Sequence, residues 1–462
     1  MLFKEKASYG IGAVGKDLVY MLVSSYILYY YESVLGVDAV FVGTVLMAAR
    51  VFDAFNDPFM GIIVAKTRSR FGKFRPWILA GTVLNAVVLY GLFAFPEGMG
   101  NDSAKLWLVV VYILWGVTYT IMDIPYWSMI PAITTVGKER ENVSSLAKSC
   151  AGIGSAIPTV LTMIVVPILG GGSAMANYRV GFKYWALIVA VFFVISEVIC
   201  VLNVKEKNSD SIQVENKSVK EMFKSLFAND QAMVVVITIV LVNTALYLTS
   251  NLVIYYFQYD IGDQEAAYSL FSAFGGAAQI LAMVLFPLFR KKLNKRNVFK
   301  LAAIGEIAGY ILLLAIAFTG ITSKSVSANG WMILFVPGFM IFFGSGLLNV
   351  LITIFLSDTI DYGQMKNNRR DESVIFSMQT FVVKLASGVA VFFAGTAIKL
   401  VGLKTGAGFG PAEQTFAALL KLRVVMTVIP IVGLIAAIVI FLRKYKLDEA
   451  MMEKVVKANE KL

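Results

Sequence analysis

Residues 38–77 read DAVFVGTVLMAARVFDAFNDPFMGIIVAKTRSRFGKFRPW. A helix needs about 20 mainly apolar residues to cross a bilayer. The stretch 38–65 supplies that length, yet it carries Arg50, Asp53, Asn56 and Asp57 inside it. Half of the next ten residues, 66–75, are Lys or Arg. Charges embedded in an apolar span mark a polar cavity, and a basic loop closing the span marks its cytoplasmic end. The stretch points to a polytopic helical membrane protein whose chemistry sits inside the bundle.

Composition agrees. Of 462 residues, 58% are apolar and 15% charged, with a mean hydropathy of +0.74. An ordinary soluble domain has roughly 25% charged residues. A soluble enzyme, a disordered chain and a charge-driven nucleic-acid binder are thereby excluded. The chain has no histidine, which removes histidine metal sites, Ser/His/Asp triads and histidine proton relays. Cys150 and Cys200 lie far apart in apolar stretches and read as small buried hydrophobes, not a disulfide framework. No GxxxxGK[ST], GxSxG or HExxH occurs, so neither enzymatic activity nor a cofactor is expected.

About twelve spans are expected, near 9–33, 38–65, 76–96, 105–131, 144–170 and 182–204, then 232–257, 265–289, 298–319, 331–358, 373–401 and 415–443. The first is no cleavable signal peptide, because Lys16 and Asp17 interrupt its apolar run. With both termini cytoplasmic, 29 Lys and Arg fall inside, 8 outside and 4 within spans. That bias sets the orientation. The net charge of +11 is then mostly topological, with anionic lipid headgroups as its counterpart.

The loop after the second span of each half is basic: KTRSRFGKFRPW at 66–77 and RKKLNKR at 290–296. The loop after the fourth mixes signs: GKEREN at 137–142 and MKNNRRDES at 365–373. This repeated punctuation suggests a duplicated six-helix unit, the architecture of major facilitator transporters. The expected organisation is an N-terminal bundle at 1–204, a cytoplasmic loop at 205–230, a C-terminal bundle at 231–443 and a tail at 444–462.

Eight ionisable residues are read near span centres: Asp17, Asp53, Asp57 and Asp123 against Lys16, Arg50, Lys148 and Lys384. Each costs about 2.5–3.5 kcal/mol to insert, so each is expected to face a partner or cavity. Asp53 and Asp57 share one helix face beside Asn56. They form either a monovalent-cation site or a salt bridge to Lys384 or Arg50. On the fourth span Tyr119, Thr120, Asp123 and Trp127 share a broad face, offering an acid for hydroxyls and an indole for a sugar ring or a cation. Pro125 is expected to kink this span. Lys148 and Lys384 bind an anionic substrate or neutralise an acid.

YGIGAVGKDLVY at 9–20, LGVDAVFVGT at 35–44, RVFDAFNDPFMG at 50–61, KTRSRFGKFRPWIL at 66–79, YTIMDIPYWSMIP at 119–131, SDTIDYG at 357–363 and SMQTFVVKLASG at 377–388 occur in order along the chain. Together they resemble the glycoside–pentoside–hexuronide:cation symporters of the major facilitator superfamily. The resemblance implies Asp53 and Asp57 as cation ligands, with Asn56, Thr120 and Asp123 as further oxygen donors. It implies Asp17, Tyr119, Asp123, Trp127, Lys148 and Lys384 around the sugar. Arg140, Glu141, Asp358, Asp361 and Arg370 are implied in a charged cytoplasmic gate. Two positions depart: Lys148 stands where the pattern has arginine, and Asn349 where it has tryptophan.

The expected function is uptake of a di- or oligosaccharide, pentoside or uronide, coupled to Na+ or H+, with Li+ as a further candidate. The expected setting is the cell membrane, and a cytoplasmic regulatory protein is a further expected partner. A lysolipid carrier is the alternative within transport. A non-transporting sensor and an integral membrane enzyme are the alternatives outside it.

Overall fold

The computed structural model describes residues 1–96, 98, 100–172, 175–206, 227–262, 265–323, 329–367, 372–404 and 414–460. The greater part of the expected middle loop, 207–226, and Arg370 lie outside the described residues. In chain order the helices are α1 (Phe3–Tyr29), α2 (Ala39–Lys66), α3 (Arg75–Phe93), α4 (Asn101–Ser128), the short α5 (Ile130–Ile133), α6 (Lys138–Gly170) and α7 (Met175–Asn203). Then come α8 (Asp230–Tyr255), α9 (Glu265–Lys292), α10 (Lys295–Thr319), α11 (Phe335–Asn367), α12 (Glu372–Val401), α13 (Phe416–Lys444) and the tail helix α14 (Glu449–Asn459).

Twelve of these, all but α5 and α14, match the twelve expected spans in order. Ten helices among the described residues are long and apolar enough to cross a membrane.

Polar side chains start several of the helices. Asp38 accepts from the Phe41 amide at 2.8 Å, and Asn294 from the Asn297 amide at 2.8 Å. Gly171 (φ 80°) and Gly320 (φ 69°) end α6 and α10 in the left-handed conformation that favours glycine. Boundaries differ from expectation mainly at charged ends: α6 begins at Lys138 instead of 144, and α11 runs to Asn367 instead of 358. Helical hydrogen bonding does not stop where hydrophobicity does. Pro125 does not end α4 either. It leaves the Ile121 carbonyl without its usual amide, and the helix continues to Ser128.

The chain divides into two compact units. The first comprises Met1–Ala228 with Gly363–Phe381, the second Asn229–Tyr362 with Val382–Leu462. Residues 363–381, read from sequence as part of the C-terminal bundle, thus group with the first. Within it, a Cβ at Gly61 would stand 2.2 Å from Ser377 Oγ, so α2 and α12 meet at backbone distance. Lys73 pairs with Glu372 at 3.1 Å beside this contact.

In the first unit α1 packs on α6 and α7, α3 on α4 and α7, and α2 on α4. Its outer faces present Val83, Leu84 and Val87 of α3 and Ile188, Val191 and Ile195 of α7. Its interior holds Lys16, Asp57, Asn85, Asp123, Arg140 and Glu197. Apolar outside and polar inside is the arrangement that lipid as solvent selects. In the second unit α13 packs on α8 and α10.

The tail helix docks on the second unit. Glu449 accepts from the Lys295 amide at 3.0 Å and from Arg290 Nη2 at 3.2 Å, while Met452 and Val455 are buried. Burial alone would raise the Glu449 carboxyl, but the Lys295 amide and the Lys295 and Arg290 charges hold it below its ordinary value of 4.5. Its contribution to docking is therefore complete above about 4.5 and is lost as pH falls through the lowered value. In Glu449→Gln the amides of 449–459 should exchange with deuterium faster than in the parent at neutral pH, and the difference should vanish in acid. Equal protection at neutral pH contradicts this docking.

Candidate functional site

The site grows from one face each of α1 and α4. On α1, Tyr9, Gly12, Lys16 and Tyr20 fall three or four residues apart and so align. On α4, Trp115, Tyr119, Asp123 and Trp127 align at spacings of four. Three features lock these faces. The Tyr9 hydroxyl donates to the Tyr126 carbonyl at 2.6 Å, and the Tyr126 hydroxyl donates back to the Tyr9 carbonyl. The two rings stack at 4.5 Å. Asn85 of α3 braces α4, donating to the Trp115 carbonyl at 3.0 Å and to Thr118 Oγ1 at 2.9 Å.

Held in that register, the Lys16 ammonium lies 2.7 Å from Asp123 Oδ1 and 2.8 Å from Asp17 Oδ2. Only 2% of its side chain is exposed. The same nitrogen stands 4.7 Å from the centre of the Trp127 ring, and Lys148 of α6 stands 3.9 Å from it. One indole thus meets two cations. Tyr119 donates to the Lys16 carbonyl at 3.4 Å and stacks on Trp115 at 5.5 Å. Asp17, Tyr119, Asp123, Trp127 and Lys148, all expected around a substrate, come together here.

The second cluster lies between α2 and α4. Thr120 donates to Asp57 Oδ1 at 2.9 Å, and Asp53 and Asp57 are both buried. A Cβ at Gly116 would be 2.2 Å from Asp53 Oδ1, so the glycine lets this carboxylate pack closely against α4. Two carboxylates and a hydroxyl are hard oxygen donors, suited to a small monovalent cation or a proton. Asn56 is half-buried on the same helix. Arg50 donates to the Tyr20 hydroxyl at 2.6 Å and to Ser24 Oγ at 3.4 Å, which ties α2 to α1.

Lys384 lies half-buried on the part of α12 that belongs to the second unit, and Asn349 is half-buried on α11. Of the expected gate residues, Arg140 and Glu141 are buried at the start of α6, where Arg140 Nε donates to Thr134 Oγ1 at 3.5 Å. Asp358 is buried and pairs with Lys295 at 2.5 Å, and the Asp361 carbonyl accepts from Asn459 at 3.0 Å.

The expected balance of four acids against four bases does not hold. Glu197 of α7 and Glu306 of α10 are also buried, at 0% and 2% exposure. Both were visible as lone acids in apolar runs, FVISEVICVL and LAAIGEIAGY. Lys16 enters the sequence reading only as one of four bases near span centres; the structure makes it the centre of the cluster. Lys16 pairs with its chain neighbour Asp17, and its Asp123 contact spans 107 residues. The bidentate Arg423–Asp260 pair, both contacts 2.6 Å, was likewise not anticipated.

Residues 8–449 match the profile of a family described as MFS/sugar transport protein. The chain is 28% identical to the raffinose carrier protein of Pediococcus pentosaceus, over 98% of this chain and 71% of that one. It is 28% identical to the isoprimeverose transporter of Lactiplantibacillus pentosus, over 97% and 90%. It is 27% identical to a lactose permease of Lactobacillus delbrueckii subsp. bulgaricus, over 98% and 71%. Among solved structures it resembles the proton:xylose symporter XylE, with a TM-score of 0.63, 14% identity and 96% of each chain covered. A bacterial homologue of the iron transporter ferroportin gives a TM-score of 0.65 at 10% identity, over 95% of this chain and 98% of that one. These two likenesses establish the major facilitator fold.

Removing Lys16 leaves Asp17 and Asp123 without their shared cation. Lys16→Met should cost about 3–5 kcal/mol, the range for breaking a buried pair. Adding Asp123→Asn should recover part of that loss, as a coupled double-mutant cycle requires. Thermal unfolding of the purified protein measures both, and an unaltered midpoint in Lys16→Met refutes the central role of this cation.

Proposed function

The chain belongs to the MFS/sugar transport protein family, and on that premise we propose that it is a secondary transporter coupling glycoside uptake to a monovalent cation. The coupling cation is Na+ or H+, with Li+ as a third candidate. The setting is the cell membrane, with both termini cytoplasmic, a placement supported by the 29-to-8 distribution of Lys and Arg.

One observation carries this reading. α4 belongs to both clusters: Thr120 reaches Asp57, and Asp123 reaches Lys16 less than one turn away. A cation bound at Asp53 and Asp57 draws on Thr120 and so positions the segment that carries Asp123 and Trp127. Sugar binding at the Lys16 cluster acts back on the Asp53–Asp57 cluster by the same free energy. Asp17 and Asp123 accept from sugar hydroxyls, Lys16 and Lys148 donate, and the Trp127 indole covers an apolar ring face. Empty and doubly loaded carrier reorient, while the cation-only form does so poorly. So ionic a site suits a polyhydroxylated solute better than an acyl chain, which favours glycoside over lysolipid.

The names of the relatives supply the test panel: raffinose, isoprimeverose and lactose. In vesicles, Asp57→Asn should abolish gradient-driven accumulation of whichever sugar is carried, while energy-independent exchange partly survives. Full cation-stimulated uptake by this variant overturns the assignment of Asp57.

Sugar and cation recognition should also separate on α4. A hydrogen bond to a charged group is worth about 1.5–3 kcal/mol, or roughly ten- to a hundredfold in affinity. Asp123→Asn should lose sugar affinity on that scale and keep cation binding, and Trp127→Phe should lose less than Trp127→Ala. Separate calorimetric titrations with cation and with sugar decide. Retained sugar affinity together with lost cation binding reverses the assignment.

A further inference from the structure

α7 carries Glu197, whose side chain is fully buried within the first unit. Among the described residues neither of its carboxyl oxygens has a hydrogen-bond partner. It lies against α1 at Gly12, where a Cβ would stand 3.1 Å from Glu197 Oε2, 3.1 Å from Cys200 Cβ and 3.2 Å from the Tyr126 ring. The neighbouring hydroxyls are committed elsewhere. Tyr9 and Tyr126 donate to each other's carbonyls, and Ser196 donates to the Phe193 carbonyl.

A carboxylate without water or donors is strongly disfavoured, and such a group neutralises instead. A metal cation would need several oxygen ligands around it. Among the described residues no group of three or more Asp, Glu and Cys side chains stands ready to hold a metal, and Cys200 and the Tyr126 ring border the same glycine. A proton needs only the carboxyl itself. We infer that Glu197 is a proton-binding site, separate from the Asp53–Asp57 pair, whose occupancy controls how the Lys16 cluster holds its ligand.

The control follows from charge. With Glu197 neutral, Lys16 and Lys148 balance Asp17 and Asp123. Ionised, it adds an uncompensated negative charge beside Gly12, one helical turn from Lys16, and competes for that ammonium. Lys16, Asp17 and Asp123 are within its electrostatic reach. The titratable and charged groups around it are Tyr9, Lys16 and Asp17 of α1, and Tyr119, Asp123 and Tyr126 of α4. Arg75 of α3 is bonded to the Val201 carbonyl at 2.7 Å; Cys150 of α6 and Cys200 of α7 complete the set. The proton site stands independently of the sugar reading, while its effect on ligand rests on it.

Two measurements on the full-length protein test this. In lipid nanodiscs, infrared difference spectra taken across a pH titration should show the carbonyl band of a protonated carboxylic acid. That band should be lost in Glu197→Gln, shifted but retained in Glu197→Asp, and unaffected by Glu306→Gln, which identifies any separate Glu306 band. An undiminished band in Glu197→Gln overturns the site. In vesicles, exchange of the transported sugar should fall as pH rises in the parent and lose this alkaline limb in Glu197→Gln. A lost band with an unchanged limb overturns the control of ligand binding. Absence of exchange for every sugar in the parent overturns the sugar reading, and the infrared result then decides the proton site alone.

Discussion

The buried Lys16 ammonium, held between Asp17 and Asp123, is the interaction on which the rest of the first unit depends. In low dielectric none of the three charges is tolerable alone. The cation therefore holds α1 and α4 at one register, and the reciprocal tyrosine bonds and the Asn85 brace keep that register. Held so, the faces carrying Trp127, Tyr119 and Lys148 converge on one volume. A group whose partners a ligand can take over in part is also a group that can switch.

Close approach makes this geometry attainable. Gly116 admits Asp53 against α4, and Gly154 of α6 lets α1 in so tightly that a Cβ would stand 2.3 Å from the Val14 carbonyl. In lipid, where tails are as apolar as the side chains, such contacts and buried polar bonds replace the hydrophobic effect as the cohesive force. They also explain why α4 can serve two clusters. A helix clamped on several sides moves as a piece, so a change at Thr120 is felt at Asp123.

The second unit uses ion pairs differently. Asp358 of α11 pairs with Lys295 at the start of α10, and Asp260, past the end of α8, pairs with Arg423 of α13. The tail helix adds Glu449 at the start of α10, where it satisfies an amide that the helix leaves unpaired. These contacts tie helices of the second unit together, and the ligand chemistry argued above lies in the first unit.

From the sequence alone came the membrane class, the twelve long helices in order, the basic loops and the acids and aromatics of α2 and α4. These follow from length, hydropathy and spacing, which are local properties. Periodicity put Trp127 and Asp123 on one face before any packing was known. Tertiary structure decided which charge meets which. Lys16 with Asp123, Thr120 with Asp57, and Lys295 with Asp358 are each separated by more than 60 residues. It also decided that 363–381 groups with the first unit and that Glu197 and Glu306 face inward. An isolated acid in an apolar run looks the same from sequence whether it faces a partner, a cavity or lipid. Only the packing of neighbouring helices settles that orientation, because the desolvation that gives the acid its chemistry is a property of everything around it.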